Sequence, residues 1–335
     1  MNLLAAAVLA VALSACGVKA EDETAPAPIQ IAAQPVPLDA SHPSIDRAGD
    51  FAYAGGLWLT NPGSRLFGGF SDLKIDDGGN LVSESDEGSL LRAQIVLDAD
   101  GRLVGLEKAT IARLAGPDGK ALSGKFESDA EGVMVWPDGD LSVSFERDHR
   151  IWTYPAGGGP PRPIPIPKVS MPTNEGMEGL ALAPHEGADA YWVGVEAGSI
   201  WLCHVASGCK SWPGLMSPPQ GYRLTALYET PAGDLAVLHH NYDPLTHRSR
   251  VLLSILALPR GPRDIAAIKA QLRLDPPRTV DNFEGVAATA SPHGGLRFYL
   301  IVDDNFSKEQ RTLLLAFDWR QPGRTTSASG GGRDR

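Results

Sequence analysis

Met177-Glu178-Gly179-Leu180 joins an apolar strand opening to an acid and a glycine, and variants of it recur along the chain. The others are Phe70-Ser71-Asp72-Leu73, Ala130-Glu131-Gly132-Val133, Leu224-Thr225-Ala226-Leu227 and Phe283-Glu284-Gly285-Val286. With Asp72, Glu131, Glu178, Thr225 and Glu284 as anchors, the steps are 59, 47, 47 and 59 residues. A period near 40–50 residues signals stacked or radial supersecondary units such as propeller blades. Each anchor opens a strand that ends in a Gly-, Asp- or Pro-rich turn, and a second strand follows. Asp76-Asp77-Gly78-Gly79 and Pro137-Asp138-Gly139 are hairpin signals, because tight turns need positive φ.

A third strand follows in every unit and a fourth in some. The expected architecture is therefore all-β, a single β-propeller of five blades over residues 46–320, with six blades as the alternative. The fifth unit runs out of chain after Trp319. Residues 51–60 read as a lone strand able to close the ring by pairing first with last. A short helix is expected near residues 262–272.

In a propeller the inner strand of each blade runs along the central channel and the second returns antiparallel. Starts of inner strands and ends of second strands then share one face. The anchors Asp72, Glu131, Glu178 and Glu284 become candidate metal ligands. Glu84, Asp86, Glu146, Glu196, Thr225, Asp303 and Asp304 are expected on the same channel face. Carboxylates brought this close repel unless protonated, paired with a base or neutralised by a cation. Hard oxygen donors in number favour Ca²⁺ over Zn²⁺. The fourth repeat breaks the acidic pattern with Thr225 and His239-His240. Those histidines are the candidate catalytic acid or base. They alternate along a strand, so at most one points into the channel. The alternative is structural: glycine admitting close packing at the axis and glutamate accepting backbone N–H groups.

The chain has 335 residues, 40 acids against 30 bases and a formal net charge of −10. That balance argues against a nucleic-acid surface. No Gly-x-Ser-x-Gly elbow, Walker loop, dinucleotide fingerprint, His-Glu-x-x-His or Cys-x-x-Cys occurs. Residues 3–13 form an apolar run too short to span a bilayer and suited to a signal peptide. The run leads into Leu13-Ser14-Ala15-Cys16-Gly17, which resembles a bacterial lipobox with Cys16 as the lipidated residue. The resemblance implies a signal peptide over residues 1–16 and a lipid-anchored protein of the cell envelope, on the periplasmic face of a Gram-negative outer membrane. Residues 17–45 read as a flexible tether and 321–335 as a disordered tail. Cys203 and Cys209 flank a short turn, and an exported chain meets oxidising conditions, so a disulfide is expected over two free thiols.

Several motifs in order carry a family resemblance. They are Phe67-Gly68-Gly69-Phe70-Ser71-Asp72-Leu73, Ser83-Glu84-Ser85-Asp86-Glu87-Gly88, Asp129-Ala130-Glu131-Gly132, Asn174-Glu175-Gly176-Met177-Glu178-Gly179-Leu180 and Asp303-Asp304-Asn305-Phe306. Together they resemble the phytase-like family described as having esterase-like activity. The resemblance implies hydrolysis of a small-molecule ester or phosphoester, with calcium in the channel. A polyanionic phytate would need basic residues to hold it, and this chain is net acidic. The rival expectation is a non-catalytic propeller that binds a ligand or protein at the envelope with a structural ion. A monomer is expected, with contact to the membrane through the lipid anchor alone.

Overall fold

The computed structural model describes residues 23–212, 214–215, 217–259 and 265–321. Five antiparallel sheets form five blades. Blade 1 runs outward from Phe70–Ile75 through Asn80–Ser85 and Ser89–Leu97 to Leu103–Arg113. Blade 2 is Ala130–Val135, Leu141–Phe145, Arg150–Tyr154 and Arg162–Ile164, and blade 3 is Met177–Leu182, Ala190–Val195, Ile200–His204 and Gly208–Ser211. Blade 4 is Arg223–Glu229, Asp234–Asp243, Arg248–Ala257 and Ala267–Leu274. Blade 5 takes Phe283–Ala290, Leu296–Val302 and Leu313–Trp319 from the C-terminal side, then Phe51–Thr60 and Ala32–Pro35 from the N-terminal side. Leu313 pairs with Trp58 and Trp319 with Phe51, so the N-terminal strand closes the ring. Each inner strand packs on those of both neighbouring blades, and blade 5 meets blade 1.

The core is divided among the five contacts between blades. Leu238 and Leu272 meet Phe283 and Phe298 between blades 4 and 5, for example, and Met134 and Ile151 meet Met177 and Tyr191 between blades 2 and 3. Burying apolar faces between sheets stabilises the ring in proportion to the area removed from water.

The register explains the recurring phrase. It slips at the opening of every inner strand, leaving Ser71, Glu131, Glu178, Thr225 and Glu284 as unpaired bulge residues. A bulge re-aims a side chain at the rim of a sheet. The equivalent of Glu131 in blade 1 is therefore Ser71, and the expected anchor Asp72 lies one residue deeper. That deeper position is Gly132, Gly179, Ala226 and Gly285 in the other blades because inner strands crowd the axis. A Cβ on Gly132 would fall 2.6 Å from the Glu178 carbonyl oxygen, and one on Gly285 2.8 Å from the Asp72 Cα.

Two expectations give way to strands. The helix expected near residues 262–272 is replaced, from 267 on, by Ala267–Leu274, where Ala270, Leu272 and Leu274 turn inward with a period of two; residues 260–264 lie outside the described residues. The tether expected over residues 17–45 is docked from residue 23 onward. Ala27–Pro28 pairs with Leu103–Arg113 and Ala32–Pro35 with Phe51–Thr60. Leu38 is fully buried, and Tyr53 donates its hydroxyl to the Val36 carbonyl at 2.5 Å. An open sheet edge offers unpaired backbone groups, and this segment covers two of them. The signal peptide, Cys16 and residues 322–335 of the expected tail lie outside the described residues. Cys203 and Cys209 sit directly opposite across a hairpin, with Cα atoms 3.9 Å apart, and form a disulfide.

Candidate functional site

One end of the channel collects the bulge residues and a second ring from the ends of the second strands. The N–H groups of Asp86, Glu146, Glu196 and Asp303 donate to the carbonyls of Gly69, Asp129, Gly176 and Asn282, at 3.0, 2.8, 3.1 and 3.0 Å. His240 holds the matching place in blade 4, opposite Arg223. The mouth therefore carries Glu131, Glu178 and Glu284 inside and Asp86, Glu146, Glu196 and Asp303 around them.

Two groups of these carboxylates stand at ligating distance. One oxygen each from Asp129, Glu131 and Glu146 lie within 4.8 Å of one another, as do those from Glu146, Glu178 and Glu196. Glu146 belongs to both groups. Burial pushes Glu131 well above the usual carboxylate range, and the charges of Glu178, Asp129, Glu284 and Glu146 push it further. Glu178 is raised in the same way by burial, then Glu196 and Glu146, and Glu284 by burial, then Asp303 and Glu178. Burial and neighbouring acids hold Glu146 at about 7, with Asp129 the leading charge. Burial and Asp86 place Asp303 also at about 7. Crowded carboxyls partly removed from water must take up protons or a cation. The donors in these two groups are all carboxylate oxygens, which fits a hard divalent cation.

Three bases flank the ring and offset part of its charge. Lys125 Nζ lies 2.5 Å from Asp86 Oδ2 and 2.6 Å from Asp129 Oδ1. Arg147 Nε lies 2.5 Å from Asp129 Oδ2, and Arg223 Nη1 lies 2.9 Å from Glu196 and 3.2 Å from Glu175. Asn282 donates to Glu284 Oε1 at 2.8 Å. Sequence reasoning missed Asp129, Lys125, Arg223 and Asn282. Asp129 had a signal: it stands two residues before the bulge, where Gly69, Gly176, Arg223 and Asn282 stand in the other repeats. Lys125 had none, because it sits in the short helical turn Lys125–Ser128, outside the repeated strands.

Four sequence-nominated residues serve elsewhere. Asp72 is not in the mouth. Its Oδ1 accepts from the N–H groups of Leu73 at 2.8 Å and Val286 at 3.3 Å, and its Oδ2 accepts from Val133 at 3.2 Å and from Lys74. It ties the inner strands of blades 1, 2 and 5 at the axis, with no oxygen left for a metal. Glu84 faces Asp72 across the blade, fully buried, and neither of its oxygens has a hydrogen-bond partner. Burial, then the Asp72 charge, raise it well above the usual range. Asp304 is a turn residue, accepting from Gly69 N–H at 2.8 Å and Thr312 Oγ1 at 2.5 Å. His239 points between blades 3 and 4, into a cavity of about 30 Å³ with Ser254, Gln271 and Ile200. Burial pulls both histidines down to about 4, so both are neutral near pH 7. Thr225 holds the bulge position in blade 4 and donates to the Phe283 carbonyl at 3.5 Å.

A sequence model of the phytase-like family, described as esterase-like activity of phytase, matches residues 65–306. The chain belongs to that family. The matched stretch of this phytase-like protein starts just before the inner strand of blade 1 and ends beyond Asp303, so it contains the whole carboxylate mouth. Among curated proteins none matches. Solved structures similar to this phytase-like propeller include a putative gluconolactonase, 14% identical, covering 89% of this chain and 91% of its own, with a TM-score of 0.46. Another is virginiamycin B lyase from Staphylococcus aureus, 11% identical, covering 85% and 99%, with a TM-score of 0.40. A PQQ-bound aldose sugar dehydrogenase from Streptomyces coelicolor is 16% identical, covering 88% and 99%, with a TM-score of 0.43.

Proposed function

We propose that this phytase-like propeller is a metal-dependent hydrolase of a small-molecule ester or phosphoester, working at the acidic mouth. The observation that carries the reading is the pair of carboxylate groups joined through Glu146, with Glu131, Glu178, Glu196 and Asp129 around it. Such a set of hard donors suits Ca²⁺, whose coordination is irregular and oxygen-rich. When bound, a divalent ion there supplies Lewis acidity toward a substrate oxygen and toward water.

The protein's own groups do the rest. Lys125 and Arg147 hold Asp129 in place, and Arg223 holds Glu196. His240 stands at the ring position as the candidate proton-transfer group, and burial keeps it neutral near pH 7 while making it a weak base. Phe126, Phe306 and Leu245, at 60%, 40% and 91% exposure, stand on the segments around the mouth. An apolar rim suits an uncharged ester better than a polyanion. In this reading the chain is a monomeric lipoprotein of the cell envelope, anchored through Cys16 and directed by residues 1–16. Metal analysis of the purified protein, with p-nitrophenyl butyrate and p-nitrophenyl phosphate assays before and after chelation, tests the hydrolase. The expected result is bound calcium and turnover that chelator removes and calcium restores. Absence of both sinks the proposal.

The rival is a ligand-binding propeller with a structural ion. The partial neutralisation of the mouth by Lys125, Arg147 and Arg223 favours it. It expects Glu146→Gln to lower stability or ligand binding while no turnover exists to be lost.

A further inference from the structure

The end of the axis away from the acidic mouth opens into a cavity of about 610 Å³. That size is within the range of small-molecule sites. Met134 and Trp136 of blade 2, Leu182 of blade 3 and Tyr228 of blade 4 give it a mainly apolar wall. Lys74, Val82 and Arg92 pair in one row across blade 1, which puts all three on the face turned toward it.

Most polar groups in this wall are already committed. Lys74 is paired with Asp72. Asp76 accepts from Gly78 N–H, Asn80 N–H and Asn80 Nδ2 at 2.9, 2.9 and 2.8 Å. Glu229 is held by His185 Nδ1 at 2.6 Å and Trp192 Nε1 at 2.5 Å. Trp136 Nε1 donates to Ser142 Oγ at 2.8 Å. Two groups remain. The Arg92 guanidinium and the Tyr228 hydroxyl make no hydrogen bond or ion pair with another described residue. Burial, then the Asp77 charge, hold the Tyr228 phenol at about 12, so it remains a donor near neutral pH. With the lining acids Asp76 and Glu229 satisfied and both of these groups donors, the exposed Arg92 standing at the cavity rim, this part of the wall is complementary to an acceptor anion carried on an apolar body.

We infer that this cavity is a second binding site, separate from the mouth, for a small apolar carboxylic acid whose carboxylate meets Arg92 and Tyr228 and whose body lies against Trp136, Met134 and Leu182. Asp72 lies between the two sites on the innermost strand, and its partner Lys74 stands in the cavity wall.

Isothermal titration of the intact chain with 2-naphthoate and its neutral amide, 2-naphthamide, tests this. The expected result is one saturable site for naphthoate, at least tenfold tighter than for the amide. Arg92→Gln is expected to erase that preference, Arg92→Lys to restore part of it, and Tyr228→Phe to weaken naphthoate a few-fold. Chelator is expected to leave the titration unchanged. The inference is overturned if naphthoate does not saturate, if the amide binds the native protein equally well, if the preference survives Arg92→Gln, or if binding disappears with Glu146→Gln.

Discussion

The two ends of this channel use the same inner strands and differ in what those strands present. At the mouth, bulges lift Glu131, Glu178 and Glu284 out of register and into one another's company. At the far end the same strands remain regular, and their last residues line an apolar cavity whose acids are already hydrogen-bonded. Buried carboxylates gathered without full neutralisation cost stability, whereas satisfied polar groups in an apolar wall do not. The crowding of like charges is concentrated at the mouth, and such local conflict tends to mark function.

The largest expected effect comes from the groups between the ends. Asp72→Ala removes the acceptor for Val133 and Val286 and strands the Lys74 ammonium, which is 11% exposed. Breaking a buried pair by removing one partner costs about 3–5 kcal/mol, to be read from urea unfolding. Lys74→Met on that background is expected to recover much of the loss. A neutral Asp72→Ala would show that the ends are not held apart by this pair.

The next effect belongs to neither end. His239 has a folded pKa of about 4, lowered by burial among Ser254, Gln271 and apolar groups, with no charged side chain among the described residues of its cavity wall. An unfolded histidine titrates near 6.5 and binds more protons than the folded one between the two values. Stability from this group is present above about pH 6.5 and falls as pH drops toward 4, by roughly 3 kcal/mol in all. Urea unfolding at several pH values is expected to show a shallower slope for His239→Gln than for the native chain. Equal slopes would place the histidine in contact with solvent or an acid.

The third effect sharpens the contrast directly. Calcium at a hundred times its Kd is expected to add about 2.7 kcal/mol to the native chain, seen as a rise in Tm. Glu146→Gln should lose most of that gain, because both carboxylate groups share Glu146. Arg92→Gln should keep it. A gain lost equally in both variants would mean the two ends are coupled through the axis.

The sequence carried the blade count and ring closure because both rest on period and strand length. Residues 51–60 read as a lone strand, and the structure pairs that strand with Leu313–Trp319. Register was less legible. The acid in Ser71-Asp72 drew the anchor one residue off, since a bulge leaves no mark in composition. The choice between His239 and His240 needed the same register. The docked segment from residue 23 was hidden by its Ala and Pro content, which resembles a linker until an open edge is supplied. The bases around the mouth come from loops and a neighbouring blade: Lys125 and Arg147 reach Asp129 from either side of blade 2, and Arg223 of blade 4 reaches Glu196 of blade 3.

That closure has a consequence for timing. Phe51–Thr60 leaves the ribosome among the first ordered segments and finds its partner Leu313–Trp319 only at the end. Bringing such distant segments together carries a loop-closure cost that no local contact repays in advance. Until Leu313–Trp319 and Phe51–Thr60 are both in place blade 5 has only its two inner strands and a raw outer edge, and the stretch over residues 65–306 alone would keep that edge. The carboxylate mouth draws its acids from blades 1, 2, 3 and 5, so it becomes a finished site only when the inner strand of blade 5 has packed on that of blade 1.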